Sequence, residues 1–472
     1  MSATSIAAQP AAPLIAAIVA DLQASVGAAN LITDPAECWT YGGDNSRLHA
    51  LPQAVVFATD TEQVAALVKI CRRHRLPLIA RGRGTGTTGA VVPDQGGVVL
   101  SLERMNQIIE VDAANRLLVA QPGATNHEIQ QAAAAAGFFW PPDPTSNAYC
   151  SLGGNLAYNS AGPRAVKYGT PRENTLGVTA VTGTGEIVRT GVYTTKGVVG
   201  LDLTRLLIGS EGLLGIITEA ILKLTPLPPA KRLLAAVYED VSSAAEAVSA
   251  IMAQPMVPCA LEFIDAQCIE MIRDYAQADL PQNAGAMLMI EVDGEAEQLT
   301  QAADRVAAAA RVTGCMDIRI AQTEAETADL WAMRKALSPA LRQIAPKKIN
   351  EDVAVPVSRL PKLIQGLEAI SQSHGIRIVS FGHAGNGNIH VNLLLDPEDV
   401  QQMQAAEPCL AAVFALVMEL RGTLSGEHGV GLAKRDYVHL ELSPEALRLM
   451  HEIKRCFDPD NILNPGKALP PI

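Results

Sequence analysis

Closely spaced cysteine pairs are missing from this sequence. It contains eight cysteines, but no two of them form a C-x-x-C pair. Cysteine-ligated iron–sulfur clusters and zinc ribbons need such pairs, so both are excluded at the level of the sequence. Free cysteine packs as a small apolar side chain, and Cys71, for example, falls on an apolar face. The sequence therefore predicts buried free thiols and a reducing, cytoplasmic location.

Long apolar runs and an excess of positive charge are missing as well. No run of about 18 apolar residues is free of charge, so we expect no transmembrane helix. No basic stretch precedes the alanine-rich N-terminal part, and we expect no signal peptide. A formal net charge of -12 argues against nucleic acid and anionic membranes as main partners. What remains is a chain of 472 residues, 48% hydrophobic, that is long enough for two or more domains.

The apolar pattern divides the chain into three parts. Residues 1–229 alternate short strands, helices and three glycine-rich blocks, and end at a proline pair. Two β-α-β units in tandem follow, a pattern typical of a ferredoxin-like αβ sandwich, and we expect 230–425 to form a second, cap-like domain. Residues 426–472 end in a stretch rich in proline and asparagine, which we expect to pack back on the first domain.

The first glycine-rich block, "RGRGTGTTG" at 81–89, has the G-x-G-x-x-G spacing of a dinucleotide-binding turn. In a Rossmann fold this turn opens a helix. Here Pro93, Gly96 and Gly97 predict that the chain runs on into another strand, so we expect no Rossmann fold. Closely spaced glycines also let several backbone N–H groups converge on an anion. The block is therefore expected to bind phosphate, with an ordinary flexible loop as the alternative.

Two histidines, His383 and His390, stand around a turn of small residues in "GHAGNGNIHVN". This pair alone suits packing in a core as well as metal ligation. The stretch "SGEHGVG" at 425–431 adds Glu427 and His428 in a second loop of small residues. Histidine together with carboxylate suits Zn²⁺, with Mn²⁺ or Fe²⁺ as alternatives, and three protein ligands leave positions open for substrate. We predict a catalytic metal site at His383, His390 and Glu427.

The directions of these side chains follow from local structure. "IHVN" predicts the start of a strand, so His390 and Asn392 should point to the same face. The neighbours Glu427 and His428 cannot point the same way on a regular element. One of them can therefore bind the metal while the other faces the substrate.

Three blocks in the first half, "LPLIARGRGTGTTG", "PPDPTSNAYCSLGGNLAYNSAGPRAVKYG" and "IGSEGLLGIITEAILKL", resemble the FAD-binding domain of vanillyl-alcohol-oxidase type flavoproteins in order and spacing. "GHAGNGNIHVN", "SGEHGVGLAK" and "FDPDNILNPGK" resemble the D-2-hydroxyacid dehydrogenase branch. That branch includes D-2-hydroxyglutarate dehydrogenases, D-lactate dehydrogenases and the flavin subunit of glycolate oxidase. The resemblance covers roughly residues 38–468. It implies an α+β fold, with a two-subdomain FAD-binding domain and a ferredoxin-like αβ cap domain.

The resemblance also implies bound FAD. Members with a covalent flavin have a histidine in the first loop, and residues 81–89 contain none, so we expect non-covalent FAD. The pyrophosphate is expected on 82–89, the ring and ribityl chain along the second block, and the adenosine at the third. Cys150 is expected to be a packed thiol. The implied FAD contacts are Arg81, Gly82, Arg83, Gly84, Thr85, Gly86, Thr87, Gly89, Pro142, Asp143, Ser146, Gly153, Gly154, Asn155, Ser160, Gly162, Gly212, Ile217 and Asn464.

Substrate residues are carried over in the same way. The resemblance implies that His428 is the catalytic base and that Arg334, one turn before Ser338, binds the substrate carboxylate with its bidentate guanidinium. A solvated helix arginine is the alternative for Arg334. The family's second basic residue aligns near Asn350, which leaves Lys348 as the nearest candidate. Ser338, Lys348 and Asn392 complete the expected substrate contacts.

The implied activity is oxidation of a D-2-hydroxy acid to the 2-oxo acid by hydride transfer to flavin N5, with FAD and a divalent metal. Basic residues in 342–348 tilt the substrate slightly towards D-2-hydroxyglutarate, with D-lactate close and D-malate and glycolate next. No second redox motif is present, so electrons should leave to a partner protein or a quinone. A metal-dependent hydrolase and a non-catalytic flavin subunit are the rival interpretations. The oligomeric state stays open, a homodimer being one option.

One position departs from the family pattern. Relatives often have aspartate where Asn386 stands between the two histidines. Asparagine keeps the ability to form a turn but removes a negative charge that could support a metal ligand. The sequence leaves the role of Asn386 open.

Overall fold

The computed structural model describes residues 13–276, 282–344 and 346–471, without the side chains of 272, 274–276, 338–340 and 342–344. These residues form two compact units. The first unit comprises 13–161, 169–227 and 427–471, and the second comprises 162–168 and 228–426. No helix in the described ranges is both long and apolar enough to cross a lipid bilayer.

Helices and strands of the described ranges are numbered in chain order. The helices are α1 Ala16–Val26, α2 Pro35–Cys38, α3 Thr61–His74, α4 Asn126–Ala135, α5 Leu152–Tyr158, α6 Ala165–Tyr168, α7 Leu203–Leu207, α8 Val241–Ala253, α9 Ala266–Ala276, α10 Ala296–Ala310, α11 Glu324–Ile344, α12 Leu360–His374, α13 Val400–Glu419 and α14 Pro444–Phe457. The strands are β1 Leu31–Ile32, β2 Ala54–Phe57, β3 Leu78–Arg81, β4 Val98–Ser101, β5 Ile108–Asp112, β6 Leu117–Ala120, β7 Phe138–Phe139, β8 Thr175–Val181, β9 Ile187–Gly191, β10 Ile216–Lys223, β11 Thr225–Pro226, β12 Ala230–Tyr238, β13 Ala260–Asp265, β14 Ala286–Gly294, β15 Cys315–Ile320, β16 Lys347–Ala354, β17 Arg377–Gly382 and β18 Asn388–Leu395.

The first unit is built on two sheets. The first has the order β1-β2-β4-β3, in which β2, β4 and β3 run parallel. Its helix α3 is capped by Asp60, whose carboxylate accepts a hydrogen bond from the Gln63 amide at 2.8 Å. The apolar positions Val64, Leu67 and Cys71 of this helix are buried in the core of the sheet. The second sheet, β5-β6-β10-β8-β9, is antiparallel and has its own core around Trp140 and Leu156.

The second unit is built on one antiparallel sheet of seven strands, in the order β15-β12-β14-β13-β17-β18-β16. Its first four strands have the order of a ferredoxin-like sandwich, and β17, β18 and β16 extend that sheet. Leu337 and Leu341 of α11, with Ile269 of α9, pack on one face against Phe381 and Met287. The amphipathic faces of these two helices thereby cover one side of the sheet.

Residues 162–168 belong to the second unit, although the sequence places them in the FAD-binding domain. The physical reason is a pair of contacts with β14. Tyr168 donates a hydrogen bond to Asp293 at 2.7 Å, and Lys167 forms an ion pair with the same carboxylate. The predicted FAD residue Gly162 accordingly lies in the second unit.

Strand register aligns the polar residues of this sheet. Phe263 pairs with Gly382, and His390 pairs with both Phe381 and Asp352. Directly paired residues of antiparallel strands share a face, and residues two apart on a strand point the same way. The ends of β13, β17, β18 and β16 therefore present Glu262, His383, His390 and Asp352 as one row.

Candidate active site

The first glycine-rich block is a loop, as the sequence predicts. Strand β3 ends at Arg81, and the chain reaches β4 at Val98 without forming a helix. Gly84 and Gly89 have φ of 66° and 75°, a region that favours glycine. Within the described ranges, no residue accepts a hydrogen bond from the amides of residues 83–88. A run of amides outside any ladder is the kind of donor set that binds a phosphate group.

A short upstream segment holds this loop in place. The Gly89 amide donates to Asp44 Oδ2 at 3.0 Å, and the Asn45 amide donates to the Gly86 carbonyl at 2.9 Å. Arg81 is buried and donates from Nη1 to the Gly43 carbonyl at 2.7 Å. Burial raises the pKa of Asp44 and lowers that of Arg81. Arg81 and Asp44 thus hold the loop against the segment 43–45. The sequence pattern does not identify Asp44 as a contact of this loop.

The second glycine-rich block folds around α5. The Ser151 hydroxyl accepts a hydrogen bond from the Gly154 amide at 3.4 Å and so caps the helix. The Gly153 amide donates to the Pro122 carbonyl at 2.8 Å, and a Cβ on Gly153 would lie 2.6 Å from the Pro122 Cβ. This close approach requires glycine at position 153.

Buried hydrogen bonds fix the polar residues of the second block. Asn126 donates from Nδ2 to the Pro142 carbonyl at 2.9 Å and to Asn155 Oδ1 at 3.2 Å. The Asp143 amide donates to the Ala161 carbonyl at 2.9 Å. Cys150 lies against Asn155, with 3.4 Å between Asn155 Nδ2 and the sulfur, and burial raises the pKa of its thiol. Cys150 is therefore a buried, packed thiol, and Asn155 is held by hydrogen bonds with Asn126 and Cys150. Ser146 accepts at its carbonyl from the Cys150 amide at 2.9 Å.

Glu211 links the third block to the segment that carries His428. Its carboxylate is buried and accepts hydrogen bonds from the amides of Val430 at 2.7 Å and Gly431 at 2.8 Å. Its own carbonyl accepts from Asn464 Nδ2 at 2.8 Å, so this residue of the C-terminal segment contacts the third block. Burial raises the pKa of Glu211, and the two amides oppose that rise.

The segment 427–433 contacts all three blocks of the first unit. Ser160 of the second block donates from its hydroxyl to the Glu427 carbonyl at 3.1 Å. Thr88 of the first block donates to the His428 carbonyl at 3.4 Å and accepts from the Leu432 amide at 2.8 Å. These bonds fix the backbone of His428 among the residues expected to hold the flavin.

The first unit fits an FAD molecule. Thr87 Oγ1 and Asn464 Oδ1 are buried side-chain atoms without a hydrogen-bond partner in the described ranges. Buried polar atoms rarely lack partners in folded proteins, and a polar ligand accounts for both. Gly212 has φ of 76°, and a Cβ there would meet no atom within 4 Å, so its surroundings are open. Ile217 is buried in the core of the second sheet.

In the second unit, Glu262 joins two predicted site residues. Its Oε1 lies 2.6 Å from His383 Nδ1, and its Oε2 accepts from Arg334 Nε at 2.7 Å. Arg334 also lies over the Phe381 ring, with Cζ 4.8 Å from the ring centroid. Burial opposes ionisation of Glu262, but His383 and Arg334 outweigh it and lower the pKa of the carboxyl to about 2. Arg334 is thus buried beside His383, not solvated on its helix.

A second carboxylate, that of Asp352, lies beside His390. Asp352 Oδ1 lies 3.7 Å from His390 Nδ1, and the same carboxylate is bonded to Asn388 and to the Ser425 hydroxyl, the latter at 3.0 Å. Histidines that bind metals usually hold a carboxylate at their other nitrogen. Both His383 and His390 are buried in this arrangement, and the donor set fits a divalent cation.

Asn386 lies on the outside of the turn. It ends a 3₁₀ turn, its side chain is exposed, and its amide donates to the His383 carbonyl at 3.1 Å. The negative charge that Asn386 lacks is present nearby, because Asp352 supplies a carboxylate from the neighbouring strand.

Of the other predicted substrate residues, two lie on strands beside the histidines and the side chain of the third is not described. Asn392 lies within β18 on the face of His390, as predicted, and is buried. Its Nδ2 donates to the His390 carbonyl at 3.1 Å, and its Oδ1 has no hydrogen-bond partner in the described ranges. Lys348 lies on β16 opposite Leu394, so its side chain is on the same face of the sheet as those of His390 and Asn392. Ser338 lies in α11, but its side chain is outside the described part of the structure.

Two family models match the chain. The model "FAD binding domain" matches residues 52–191, and the model "FAD linked oxidases, C-terminal domain" matches 227–468. The second match alone covers more than half of the chain. The chain belongs to the FAD-linked D-2-hydroxyacid dehydrogenase family. It is therefore an FAD-dependent oxidoreductase that acts on a CH–OH group.

Curated relatives agree with this family, and a solved structure has the same fold. The chain is 40% identical to glycolate oxidase subunit GlcD of Bacillus subtilis over 89% of each chain. It is 35% identical to a D-lactate dehydrogenase of Anaerostipes hadrus, over 89% of this chain and 90% of the relative. It is 33% identical to a D-2-hydroxyglutarate dehydrogenase of Xanthomonas citri, over 95% and 96%. Substrate-bound p-cresol methylhydroxylase has the same fold, with a TM-score of 0.81 at 20% identity over 98% of both chains.

Four carboxylates that hold predicted site residues in place could not be identified from the sequence. Glu262 and Asp352 each contact a histidine, Glu211 holds the His428 segment, and Asp44 holds the loop 81–89. Each of them lies far along the chain from its partner. No local spacing identifies them, and only the strand register brings Glu262 and Asp352 to the histidines.

We predict that Glu211→Gln lowers the free energy of unfolding of the FAD-loaded protein by about 1–3 kcal/mol. The glutamine amide offers one acceptor oxygen, so one of the two amides of Val430 and Gly431 would face an NH₂ group. Urea unfolding followed by flavin fluorescence measures the change. Glu219→Gln on β10 is the control and should shift stability by less than about 0.5 kcal/mol. An unchanged unfolding midpoint for Glu211→Gln would contradict the prediction.

Proposed function

We propose that the protein oxidises a D-2-hydroxy acid to the corresponding 2-oxo acid, using FAD and a divalent cation. One observation carries the proposal: Arg334 and His383 meet on the same buried carboxylate, Glu262. A guanidinium suited to a carboxylate thus lies beside a histidine suited to a metal. A 2-hydroxy acid carries its carboxylate and its hydroxyl on adjacent carbons, which matches this pair.

His383, His390 and Glu427 would hold the cation. The two histidines share an edge-to-face contact, with ring centroids 5.2 Å apart. The residues just before Glu427 are fixed at β16, the strand paired with that of His390, because the Ser425 hydroxyl donates to Asp352 at 3.0 Å and the Gly426 amide donates to the Asp352 carbonyl at 3.4 Å. Glu427 is the next residue. Zn²⁺ suits this donor set, with Mn²⁺ or Fe²⁺ as alternatives.

The residues of the chain divide the remaining work. Arg334 would bind the substrate carboxylate, and Asn392 would offer its Oδ1 to the polar end of the substrate. His428 would accept the hydroxyl proton, because histidine exchanges protons near neutral pH. When bound, FAD supplies the hydride acceptor and the divalent cation supplies a Lewis acid for the hydroxyl.

The favoured substrate is D-2-hydroxyglutarate, with D-lactate close. The relatives are named for glycolate, D-lactate and D-2-hydroxyglutarate, so the names alone do not decide. Lys348 faces the same side of the sheet as His390, and a second cation would serve a second carboxylate. Ser338 is proposed as a further substrate contact. Electrons would leave to a partner protein or a quinone, because the sequence has no second redox motif.

We expect the purified protein to be yellow and to reduce an artificial acceptor with D-2-hydroxy acids. The panel is D-2-hydroxyglutarate, D-lactate, D-malate and glycolate, with the L-enantiomers as controls. Turnover of D-2-hydroxyglutarate and D-lactate should exceed that of their L-forms at least about tenfold, since a site that holds carboxylate, hydroxyl and hydride acceptor together discriminates the two hands of C2. A colourless protein that added FAD cannot reconstitute, or equal turnover of both enantiomers, would overturn the proposal.

A further inference from the structure

Glu262 stands out among the buried carboxylates because it contacts both halves of the proposed site. Its side chain is 1% exposed, and that of Arg334 is 5% exposed. The contacts come from three separate elements, since Glu262 lies on β13, Arg334 on α11 and His383 after β17. We propose that Glu262 is a positioning residue that sets the proton of His383 for metal binding and the plane of Arg334 for substrate binding. The inference rests on the proposed function.

The first effect concerns the ring of His383. An ionised carboxylate can only accept hydrogen bonds, so the ring nitrogen facing Glu262, Nδ1, must carry its proton. In the neutral ring the other nitrogen, Nε2, then has the lone pair that a metal needs. Glu262 thus selects the tautomer that can bind a cation through Nε2, and the 2.6 Å contact fixes the ring orientation.

The second effect concerns the plane of Arg334. Its Nε–H donates to Glu262 at 2.7 Å, and its guanidinium lies over the Phe381 ring. These two contacts fix both the direction and the tilt of the planar group. The edge formed by the two terminal nitrogens is then oriented for a carboxylate, which guanidinium binds through two parallel bonds. One buried carboxylate therefore aligns the metal side and the substrate side together.

Glu262→Gln separates this role from a purely structural one. Arg334 Nε–H can only donate, so the glutamine oxygen must face Arg334 and its NH₂ must face His383 Nδ1. Nδ1 then has to accept and the ring proton moves to Nε2, so the metal must displace that proton and binds more weakly. Orientation of Arg334 is kept. The variant should therefore lose metal affinity while it keeps its affinity for the substrate carboxylate.

The experiment measures Zn²⁺ binding to the FAD-loaded, metal-stripped protein by competition with a chelating dye. We expect the Zn²⁺ Kd of Glu262→Gln to rise about 10- to 100-fold over that of the wild type. The KM for the hydroxy acid at saturating Zn²⁺ should change less than about threefold, because the Arg334 contact to the carboxylate persists. Added Zn²⁺ should restore turnover, which a damaged fold would not show.

Glu291→Gln is the matched control. Glu291 is also buried, lies on the neighbouring strand β14 and points to the same face, where it accepts from Trp331 Nε1 at 3.0 Å. It contacts neither His383 nor Arg334 in any bond that the structure shows, and its variant should keep the wild-type Zn²⁺ Kd. Equal Zn²⁺ affinity of Glu262→Gln and the wild type would overturn the inference. A wild type that neither binds Zn²⁺ nor oxidises hydroxy acids would instead overturn the proposed function.

A second measurement needs no variant of Glu262. In the Zn²⁺- and FAD-loaded wild type labelled with [¹⁵N]histidine, ring correlations distinguish a protonated Nδ1 from a protonated Nε2. The signal lost in His383→Gln assigns His383. We expect a proton on Nδ1 and the metal on Nε2. The reverse pattern would overturn the inference even if Glu262→Gln failed to fold.

Discussion

Replacing His428 by glutamine is expected to lower kcat for D-2-hydroxy acid oxidation by about 10²- to 10⁴-fold, the usual range for losing a general base. The Thr88 hydroxyl donates to the carbonyl of this residue, and Glu211 accepts from the amides of Val430 and Gly431 just after it. These contacts do not involve the imidazole, so the glutamine variant should keep its fold and its FAD. The loss of turnover should therefore not come from unfolding or from loss of FAD.

The measurement is steady-state turnover with a saturating hydroxy acid and an artificial acceptor. His439→Gln is the control, because His439 lies exposed in the same C-terminal segment. FAD content and thermal stability of both variants should match the wild type. If His428→Gln kept turnover within about twofold of the wild type, the base would have to be another residue.

Stripping divalent cations is expected to lower turnover by at least about 10²-fold, since a bound cation can shift the pKa of an attached hydroxyl by many units. The flavin spectrum should stay unchanged, because none of the predicted metal ligands His383, His390 and Glu427 is among the expected FAD contacts. Treatment with a chelator followed by gel filtration tests this, with metal content measured by emission spectroscopy.

Restoration by single ions extends this test. Adding Zn²⁺, Mn²⁺ or Fe²⁺ separately should restore turnover, and the most effective ion identifies the physiological candidate. His390→Ala should resist restoration at the same ion concentration, whereas His374→Gln, at the end of α12, should be restored like the wild type. Full activity in protein shown to be free of metal would contradict the metal-dependent mechanism.

Local patterns predicted the elements that depend on neighbouring residues. Cys71 is buried on the apolar face of α3, the loop after Arg81 opens no helix, and Asn392 shares a face with His390. Each of these depends on helical periodicity, propensity or the alternation of a strand, which a short stretch of sequence contains. The predicted fold class is confirmed by the same elements and by the family match.

Long-range register lies beyond such patterns. Nothing near Glu262 indicates that it will meet His383, 121 residues later. The meeting depends on which strands become neighbours and on their alignment, as in the pairing of Phe263 with Gly382. A shift by one residue would turn Glu262 to the opposite face. For the same reason the sequence could not show that Asp352 supplies the charge that Asn386 lacks.

The division between Gly426 and Glu427 has a practical consequence for making chimaeras. Replacing residues 162–168 and 228–426 together by the matching parts of a relative would exchange Arg334, His383 and His390 as a set. The same crossovers would keep the parent's loop 81–89, Glu427 and His428. A library built on these splice points would vary the residues proposed to select the acid while His428, the proposed proton acceptor, is inherited from the parent.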